Sequence, residues 1–455
     1  MTTIEVQGYW TPVPDEIDAV DLEVTGALPA ELTGRYFRNG PNPLPGETET
    51  HRFVGHGMIH GVRLREGRAE WYRNRWVRTR NLDGAPRDLP DGSRDRTVGS
   101  ANTHVVHHAG RVLALLEGTV PYELSRELDT IGPCDFGGRL TGAMTAHPKE
   151  DPATGELHFF GYSARPPFLT YHVLSPRGDL VRSRDVEVKG PTMMHDFAVT
   201  ANHVVWLDLP LVFDLARRQD DIPYRWDDGY GARIGVMPKH GDGPVRWFEV
   251  DDCYVFHIGN AFEDADGAVV IDVVRYAPES FRQAWKAFEE VGRSTAPNPG
   301  PAHRVARLGE ARLHRWTLDP ATGRVHSGQR DDRDLEFPTI NDSRTGLPNR
   351  YLYTIVKGGP DETSNLVVKF DGDTGASTTH DVGAHRRAGE AVFVPAADGR
   401  AEDEGWLIAL AGDRAANRSE LLVLDATDLS APPVASVRLP RRVPGGFHGS
   451  WIPDA

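Results

Sequence analysis

Four histidines in short apolar stretches are the clearest candidates for chemistry in this sequence. His147, His195, His257 and His448 occur in the contexts TAHPK, MHDFAV, FHIGNAF and GFHGSWIP, and each opens or closes a predicted strand. Neutral imidazole is a ligand that iron and other transition metals accept. The chain has 19 histidines, and one histidine taken alone is more often a structural residue. These four could form a metal site only if the fold brings them together.

Three glutamates lie in similarly apolar surroundings. Glu117 follows the run VLALL, Glu336 lies in LEFPTI and Glu390 lies in GEAVFVP. An unpaired carboxylate in such a context is costly, so each glutamate needs a buried partner. The alternative, an ordinary exposed glutamate, fits Glu117 least well. Four neutral imidazoles would leave the double charge of a metal ion uncompensated, and nearby carboxylates would supply the missing negative charge.

Most apolar runs in the chain are predicted to be β-strands. They are rich in β-branched and aromatic residues and are separated by turns that use many of the 47 glycines and 34 prolines. The predicted strands are LHFFGYSA (157–164), FLTYHVL (168–174), HVVWLDL (203–209), AVVIDVV (268–274), ARLHRWTL (311–318), RYLYTIV (350–356), NLVVKF (365–370), GWLIALA (405–411) and ELLVLDA (420–426).

A recurring turn suggests how these strands are arranged. It appears as DPATG at 151–155 and 319–323 and as DGDTG at 371–375, and the last two copies are 52 residues apart. That interval is about the length of one four-stranded propeller blade. The four histidines are separated by 48, 62 and 191 residues, which correspond to one blade, one blade plus a loop, and several blades. The innermost strands of a propeller line one central channel, so residues at such intervals can converge.

Length and composition agree with this architecture. A chain of 455 residues is longer than the roughly 250–300 residues at which single cores stop growing. It therefore contains several domains or is built by radial repetition. We see no linker with a change of composition on both sides, and we predict one all-β propeller domain over residues 1–455.

The totals also restrict the partners and the compartment. A formal net charge of −15 argues against nucleic acid, because phosphate binding requires a basic surface. Cys134 and Cys253 are the two cysteines, too few for a disulfide framework, which fits a reducing cytoplasm. The first residues lack the features of a signal peptide, and no run reaches the ~18 apolar residues of a membrane span. We expect a cytoplasmic protein, with a peripheral membrane contact left open.

The sequence also predicts one helix. It begins at Pro278 in PESFRQAWKAFEEVG and ends at Gly292, with Phe281, Trp285 and Phe288 at helical spacing. Such an aromatic stripe predicts a helix that caps one face of the propeller. A polar loop, 292–304, follows it.

The chain resembles the carotenoid cleavage oxygenases, a family that also contains lignostilbene dioxygenases. The similarity lies in GRYFRNGPNP (34–43), FVGHGMIHG (53–61) and the final GFHGSWIP, in this order, and so extends over nearly the whole chain. The resemblance implies a seven-bladed β-propeller with a loop and helix cap. It also implies one non-haem iron(II) per chain on the propeller axis, with dioxygen as co-substrate. The implied iron ligands are His147, His195, His257 and His448.

The resemblance implies roles for further residues. Glu117, Glu336 and Glu390 would accept the outer ring N–H of three of the ligands and so act in catalysis. Thr103, in SANTHVV, would crowd one open coordination site, and the less favoured alternative is an ordinary strand threonine. Leu116 would contact the substrate near the iron.

Three residues of the FVGHGMIHG segment receive separate predictions. Phe53 would contact the substrate. His56 stands where the family usually has Asp, and we interpret both His56 and His60 as structural residues. The glycines of this segment resemble a phosphate loop, but the alternating sequence VRLREGRAEWY follows instead of a helix, so nucleotide binding is rejected.

Three functions are compatible with the sequence. The first is cleavage of a carbon–carbon double bond of a carotenoid or apocarotenoid by dioxygen, which gives two carbonyl products. The second is cleavage of a stilbene or phenylpropene at the same site, and the third is a binding protein without chemistry. The set of histidines and glutamates argues against the third. The residue at position 116 distinguishes the first function from the second, because lignostilbene-type members have a phenolate-binding Lys where this chain has Leu116.

Overall fold

A computed structural model describes residues 9–47, 53–217, 222–291, 309–357 and 365–454 of the chain. In these ranges the backbone forms seven antiparallel sheets of four to six strands and one two-stranded ribbon. The sheets are the blades of a seven-bladed β-propeller. The predicted fold class is therefore confirmed.

The strands alternate with tight turns along the whole chain. The first blades use β1 (Asp18–Val20), β2 (Val24–Gly26), β3 (Gly34–Pro41), β4 (Gly57–Arg65), β5 (Arg68–Trp76), β6 (His104–His108), β7 (Arg111–Leu115), β8 (Tyr122–Leu124), β9 (Thr130–Pro133), β10 (Lys149–Glu150), β11 (Leu157–Tyr162), β12 (Leu169–Leu174) and β13 (Leu180–Asp185). The middle of the chain forms β14 (Ala198–Val199), β15 (His203–Asp208), β16 (Leu211–Phe213), β17 (Tyr224–Trp226), β18 (Ala232–Pro238), β19 (Arg246–Val250), β20 (Tyr254–Glu263), β21 (Val269–Tyr276), β22 (Ala311–Leu318) and β23 (Val325–Gln329). The last strands are β24 (Leu335–Thr339), β25 (Tyr351–Val356), β26 (Leu366–Asp371), β27 (Ser377–Asp381), β28 (Arg386–Ala388), β29 (Val392–Pro395), β30 (Gly405–Asp413), β31 (Arg418–Asp425), β32 (Ala435–Arg438) and β33 (Gly449–Pro453).

Five blades are formed by strands that follow one another along the chain. They are β6–β9, β10–β13, β14-β15-β18-β19, β20–β23 and β24–β27, each ordered from its first strand outwards. The ribbon β16-β17 is inserted in the third of these. All nine strands predicted from the sequence are present, with ends that differ by at most two residues.

The two remaining blades combine strands from both ends of the chain and close the ring. β33 pairs with β3 in the sheet β1-β5-β4-β3-β33, and β2 pairs with β32 at the outer edge of the last blade. Next to the closing strand, the Asp454 carboxylate forms ion pairs with Arg35, at 2.6 Å, and with Arg63. Contacts between the first and last segments of the chain therefore close the ring of blades.

The recurring turn has the same structure at all three positions. In each copy the glycine N–H donates to the carbonyl oxygen of the first aspartate, at 2.7 Å for Asp151 and 2.8 Å for Asp319 and Asp371. The aspartate side chain accepts the N–H two residues later. The copies at 319 and 371 join the third and fourth strands of consecutive blades, which explains their spacing. The copy at 151 joins the first and second strands of its blade.

Helix α1 (Pro278–Val291) connects β21 to β22. Phe281 and Trp285 are buried, the Phe281 ring stacks on Tyr254 at 4.7 Å, and the Trp285 indole donates to the Tyr224 carbonyl at 3.2 Å. The helix thus covers part of one face, as predicted. The Phe288 side chain, Gly292 and the loop 292–304 lie outside the described residues. Short 3-10 helices occur at Leu215–Arg217 and Asp342–Arg344.

Candidate metal centre

Every blade brings one of the predicted site residues to the start of its innermost strand or close to it. The innermost strand of each blade lines the central channel, so residues at corresponding positions can converge there. In order around the ring the residues are Thr103, His147, His195, His257, Glu336, Glu390 and His448. Glu117 is the exception, because it follows β7, the second strand of its blade.

The histidines differ in how the backbone presents them. His147 and His195 lie in extended segments just before the two-residue strands β10 and β14, and His448 directly precedes β33. His257 lies inside β20, so the prediction that each histidine opens or closes a strand is wrong for this one. The pairing of β20 with β21 is irregular between Val255 and Ile258. Such a bulge redirects a side chain without ending the strand.

The four imidazoles converge. One ring nitrogen from each of His147, His195, His257 and His448 lies within 4.8 Å of the others. The Nε2 atom of His195 is 3.0 Å from Nε2 of His147 and 3.3 Å from Nε2 of His257. Residues up to 301 positions apart in sequence therefore form one cluster.

The chemistry of this cluster fits a metal ion. Burial, and then the neighbouring imidazoles, hold the pKa of His147 well below its usual value, so this ring is neutral at neutral pH. Where a carboxylate engages Nδ1 of a ring, the proton lies on Nδ1 and the Nε2 lone pair points inwards. Facing lone pairs about 3 Å apart repel each other, and a cation between them removes that repulsion. Four imidazole nitrogens, when they bind in the neutral form, are a donor set suited to iron(II).

Three of the rings contact a carboxylate on their outer side. Nδ1 of His257 is 2.5 Å from Glu336 and Nδ1 of His448 is 3.0 Å from Glu390. His195 forms the same contact with Glu117. In the described part of the chain His147 has no carboxylate within 4.0 Å.

Each glutamate also has a second donor. Glu336 accepts from the Tyr276 hydroxyl at 2.6 Å, and Glu390 accepts from the Gly449 N–H at 2.7 Å. Burial alone would raise the pKa of Glu336, but the His257 ring and the other donors outweigh it and lower the pKa to about 2. The Glu336 carboxylate is therefore ionised and can offset part of the charge of a bound dication.

A hydrogen-bonded pair of tyrosines continues from the third glutamate. The Tyr162 hydroxyl donates to Glu117 at 2.9 Å and lies 3.1 Å from the Tyr224 hydroxyl. Since the Tyr162 proton is used on the carboxylate, Tyr224 is the donor between the two tyrosines. A polar chain thus runs from the ring of His195 to a hydroxyl group in the wall of the cavity.

One buried aspartate links three of the histidine segments. Asp196 accepts from the backbone N–H of Ile258 at 2.9 Å and pairs with Lys149 at 2.8 Å. These residues follow His195, His257 and His147 by one or two positions. Asp196 therefore fixes the relative positions of three potential ligands without contacting the cluster itself.

Thr103 lies beside His448 on the neighbouring blade. Its carbonyl oxygen accepts the His448 N–H at 3.3 Å, and its hydroxyl donates to the Asn102 side chain at 3.2 Å. Thr103 is buried and lines the central cavity. Its position is compatible with the predicted role of crowding the metal, which stays a prediction.

The histidine cluster opens onto a cavity of about 1200 Å³. Leu116 and Phe53 both line it, and the Phe53 ring lies 5.4 Å from the ring of Phe447 and 6.5 Å from that of Phe256. Other apolar residues complete much of the wall: Met193, Phe213, Ile222, Trp285, Phe337 and Ile355. The cavity is large enough for a long or bulky apolar molecule.

His56 and His60 do not belong to the cluster. Nδ1 of His60 is 2.8 Å from the buried Tyr72 hydroxyl, and Nε2 of His56 is 3.3 Å from the Glu47 carboxylate. Both contacts agree with the interpretation of these histidines as structural.

The sequence did not single out four residues that shape the site. Tyr162, Tyr276 and Asp196 act through contacts that only the folded ring creates, so no local pattern could identify them. His104 follows Thr103 and lies 5.1 Å from the His448 ring. Its nitrogens face the Ala146 carbonyl and the Ser450 hydroxyl, which explains its absence from the cluster.

Comparisons with known proteins agree with this architecture. The family model described as "Retinal pigment epithelial membrane protein" matches residues 10–453. The carotenoid cleavage oxygenase of Mycobacterium tuberculosis is 40% identical over 98% of this chain and 97% of its own length. The cobalt-substituted Synechocystis apocarotenoid oxygenase superposes with a TM-score of 0.82 at 27% identity and 98% coverage of both chains. The Pseudomonas brassicacearum lignostilbene dioxygenase superposes with a TM-score of 0.85 at 31% identity, covering 100% and 99% of the two chains.

The described part of the chain contains no helix long and apolar enough to cross a membrane.

The match to the family model spans almost the entire sequence, and the relatives are covered nearly end to end. The chain therefore belongs to the family of the retinal pigment epithelial membrane protein and the carotenoid cleavage oxygenases.

Proposed function

We propose that this protein is an iron(II) dioxygenase that cleaves a carbon–carbon double bond of a carotenoid or apocarotenoid into two carbonyl products. The observation that carries the proposal is the four-histidine cluster at the inner end of a large, mainly apolar cavity. A polyene needs an apolar cavity of this size, and alkene cleavage by dioxygen needs a redox-active metal beside it. The names of the Mycobacterium tuberculosis and Synechocystis relatives support this substrate class.

The histidines, the glutamates and the threonine of the site have different proposed roles. His147, His195, His257 and His448 would hold the iron, which supplies the activation of dioxygen when it is bound. Glu117, Glu336 and Glu390 keep the proton of three rings on Nδ1 and offset the charge of the ion. Thr103 is proposed to restrict one side of the metal. The contacts described above support these assignments.

The cavity wall would position the alkene and exclude water. Phe53, Phe256 and Phe447 form an edge-to-face group that offers rigid apolar contact beside His195, whose ring lies 5.1 Å from Phe256. Leu116 lies next to Glu117 in the wall. An alkene held between these groups would present one double bond to the metal.

Isotopic labelling tests the reaction type. With iron-loaded enzyme and labelled dioxygen, we expect one labelled oxygen in each carbonyl product after correction for exchange of aldehydes with water. Label that is persistently missing from one product would contradict the dioxygenase reaction. The double variant His257→Ala, His448→Ala should contain far less than one iron per chain, and full retention of iron would contradict the assigned ligands.

A second candidate is cleavage of a stilbene or phenylpropene, which the similarity to the lignostilbene dioxygenase favours. Leu116 argues against it, because leucine cannot pair with a phenolate, and an unpaired buried phenol oxygen costs about 1–3 kcal/mol. We therefore expect higher kcat/KM for an apocarotenal than for resveratrol or a 4-vinylphenol. Efficient turnover of either phenol with none of the apocarotenal would support the second candidate instead.

A further inference from the structure

Three arginines lie in one part of the cavity wall, although most of the cavity is apolar. Arg87, Arg94 and Arg96 all line it, and we call them the arginine cluster. Arg94 is close enough to the other two for their positive charges to lower its pKa, in addition to the larger effect of burial. Asp88 is 3.8 Å from Arg94. Arg94 and Arg96 thus place two guanidinium groups in one part of the cavity wall, in a chain whose net charge is −15.

Arg96 is the member nearest to the metal centre. Its Nη1 donates to the carbonyl oxygen of Gly118 at 2.7 Å, and Gly118 is the residue after Glu117. In the described ranges, the other N–H groups of Arg96 have no protein acceptor and the side chain has no carboxylate within 4.0 Å. Burial lowers the pKa of this arginine, and the hydroxyl groups of Tyr162 and Tyr224 are near enough to oppose that change. Arg96 is only partly buried and lines the cavity, so these N–H groups are accessible to a ligand that offers acceptor oxygens.

The neighbouring tyrosines restrict what that ligand is. The Tyr224 proton is donated to Tyr162 and the Tyr162 proton to Glu117, so neither hydroxyl is left as a donor. The guanidinium groups of Arg94 and Arg96 lie near these tyrosines and are charged donors. A planar, negatively charged group with two acceptor oxygens matches a guanidinium best, because the two form paired, charge-assisted hydrogen bonds.

We propose that the arginine cluster, with Arg96 at its inner end, is a subsite for a carboxylate at one end of the alkene substrate. The preferred substrate class is then an acidic polyene, such as an apocarotenoic acid, rather than the corresponding alcohol or aldehyde. This inference rests on the proposed function, of which it specifies the substrate. The carboxylate anchors one end of the chain and so helps to set which double bond reaches the metal.

A binding measurement tests the subsite without turnover. All-trans retinoic acid and all-trans retinol share one carbon skeleton and differ at the terminal group, and quenching of protein tryptophan fluorescence reports their binding. We expect the wild-type protein to bind the acid at least about 10-fold more tightly than the alcohol, the effect of one charge-assisted pair. Arg96→Gln and, separately, Arg94→Gln should reduce this ratio several-fold or more, and Arg96→Lys should restore it in part.

Arg78→Gln is the matched control. Arg78 pairs with Glu16 at 2.8 Å and is not part of the cavity wall, so the ratio should stay at its wild-type value. Equal affinity of the wild-type protein for acid and alcohol would overturn the proposal. So would an equal loss of affinity for both probes in Arg96→Gln and Arg94→Gln, since this would indicate a purely structural role.

Turnover distinguishes a failure of the subsite from a failure of the proposed function. Iron-loaded enzyme should show higher kcat/KM for an apocarotenoic acid than for the matched aldehyde and alcohol, and the preference should fall in Arg96→Gln at unchanged iron content. Cleavage of all three at equal rates would refute the subsite and leave the function intact. If no alkene is cleaved although the acid binds selectively, the proposed function fails and the subsite remains.

Discussion

Each of the three buried glutamates uses one carboxylate oxygen for an imidazole and the other for a second donor. The second donor is a tyrosine hydroxyl at Glu117 and Glu336 and a backbone N–H at Glu390. A hydroxyl can rotate and become an acceptor, whereas a backbone N–H cannot. The same substitution should therefore have different consequences at the three positions.

We expect Glu117→Gln, Glu336→Gln and Glu390→Gln each to weaken iron binding by about 10–100-fold, the usual effect of losing an outer partner of a ligand. Glu390→Gln should be the most severe, because its amide N–H group would face the Gly449 N–H. Titration of the metal-free proteins with iron(II) measures the effect. Glu187→Gln, at an exposed position, is the control, and wild-type iron affinity in all three variants would contradict the assignment.

Asp196→Asn should disturb the centre without removing a ligand. The carboxylate accepts from Lys149 and from the Ile258 N–H, and an amide cannot reproduce both interactions. We expect a loss of about 1.5–3 kcal/mol in the free energy of unfolding, typical of a hydrogen bond to a charged group, together with weaker iron binding. Urea denaturation and iron titration measure the two effects. If the free energy of unfolding and the iron affinity of Asp196→Asn both equal those of the wild-type protein, the contacts of Asp196 are not needed to position the three histidine segments.

At the scale of elements, long strands were predictable and the shortest ones were not. Runs such as ARLHRWTL bury one face and are long enough for their pattern to be seen. The innermost strands β10 and β14 have two residues each, too few for any period to appear in the sequence. The bulge at His257 could not be predicted either, because it arises from the pairing of β20 with β21. The family resemblance located the four histidines in the sequence. The orientation of their side chains depends on these short and irregular strands, which the sequence pattern does not reveal.

A carboxylate between two blades gives a pH-dependent contribution to stability. Burial would raise the pKa of Glu263, but hydrogen bonds from His203, Thr200 and Asn202 outweigh it and lower the pKa to about 2. A carboxylate with a depressed pKa stabilises the folded state above its unfolded value, near 4.3. The contribution is lost as the pH falls from about 4.3 towards 2.

Glu263→Gln should therefore lower the melting temperature at pH 7, and the difference from the wild-type protein should shrink as the pH approaches 3. Thermal unfolding between pH 7 and pH 3 measures this dependence. Glu249→Gln is the control, because Glu249 is largely exposed and its contact with Lys189 is long, at 3.6 Å. A difference between Glu263→Gln and wild type that is independent of pH would contradict the assigned ionisation.

At the scale of the molecule, the proposed ligands come from four different blades, so bound metal should stabilise the ring as a whole. A ligand that binds only the folded state adds about 2.7 kcal/mol at a free concentration one hundred times its dissociation constant. We expect removal of iron by a chelator to lower the melting temperature and readdition of iron(II) to restore it. Identical melting of the two forms would contradict a site assembled across blades.

The position of His448 has a consequence for the lifetime of the protein. Only one peptide bond separates this histidine from β33, the strand that closes the circle, and Glu390 holds both the ring of His448 and the N–H of Gly449. A bound ion would thus help to hold β33 in its blade. Without it, β33 should detach from its blade more often and become accessible to proteases. A shortage of iron would then make the protein more susceptible to cleavage near this strand.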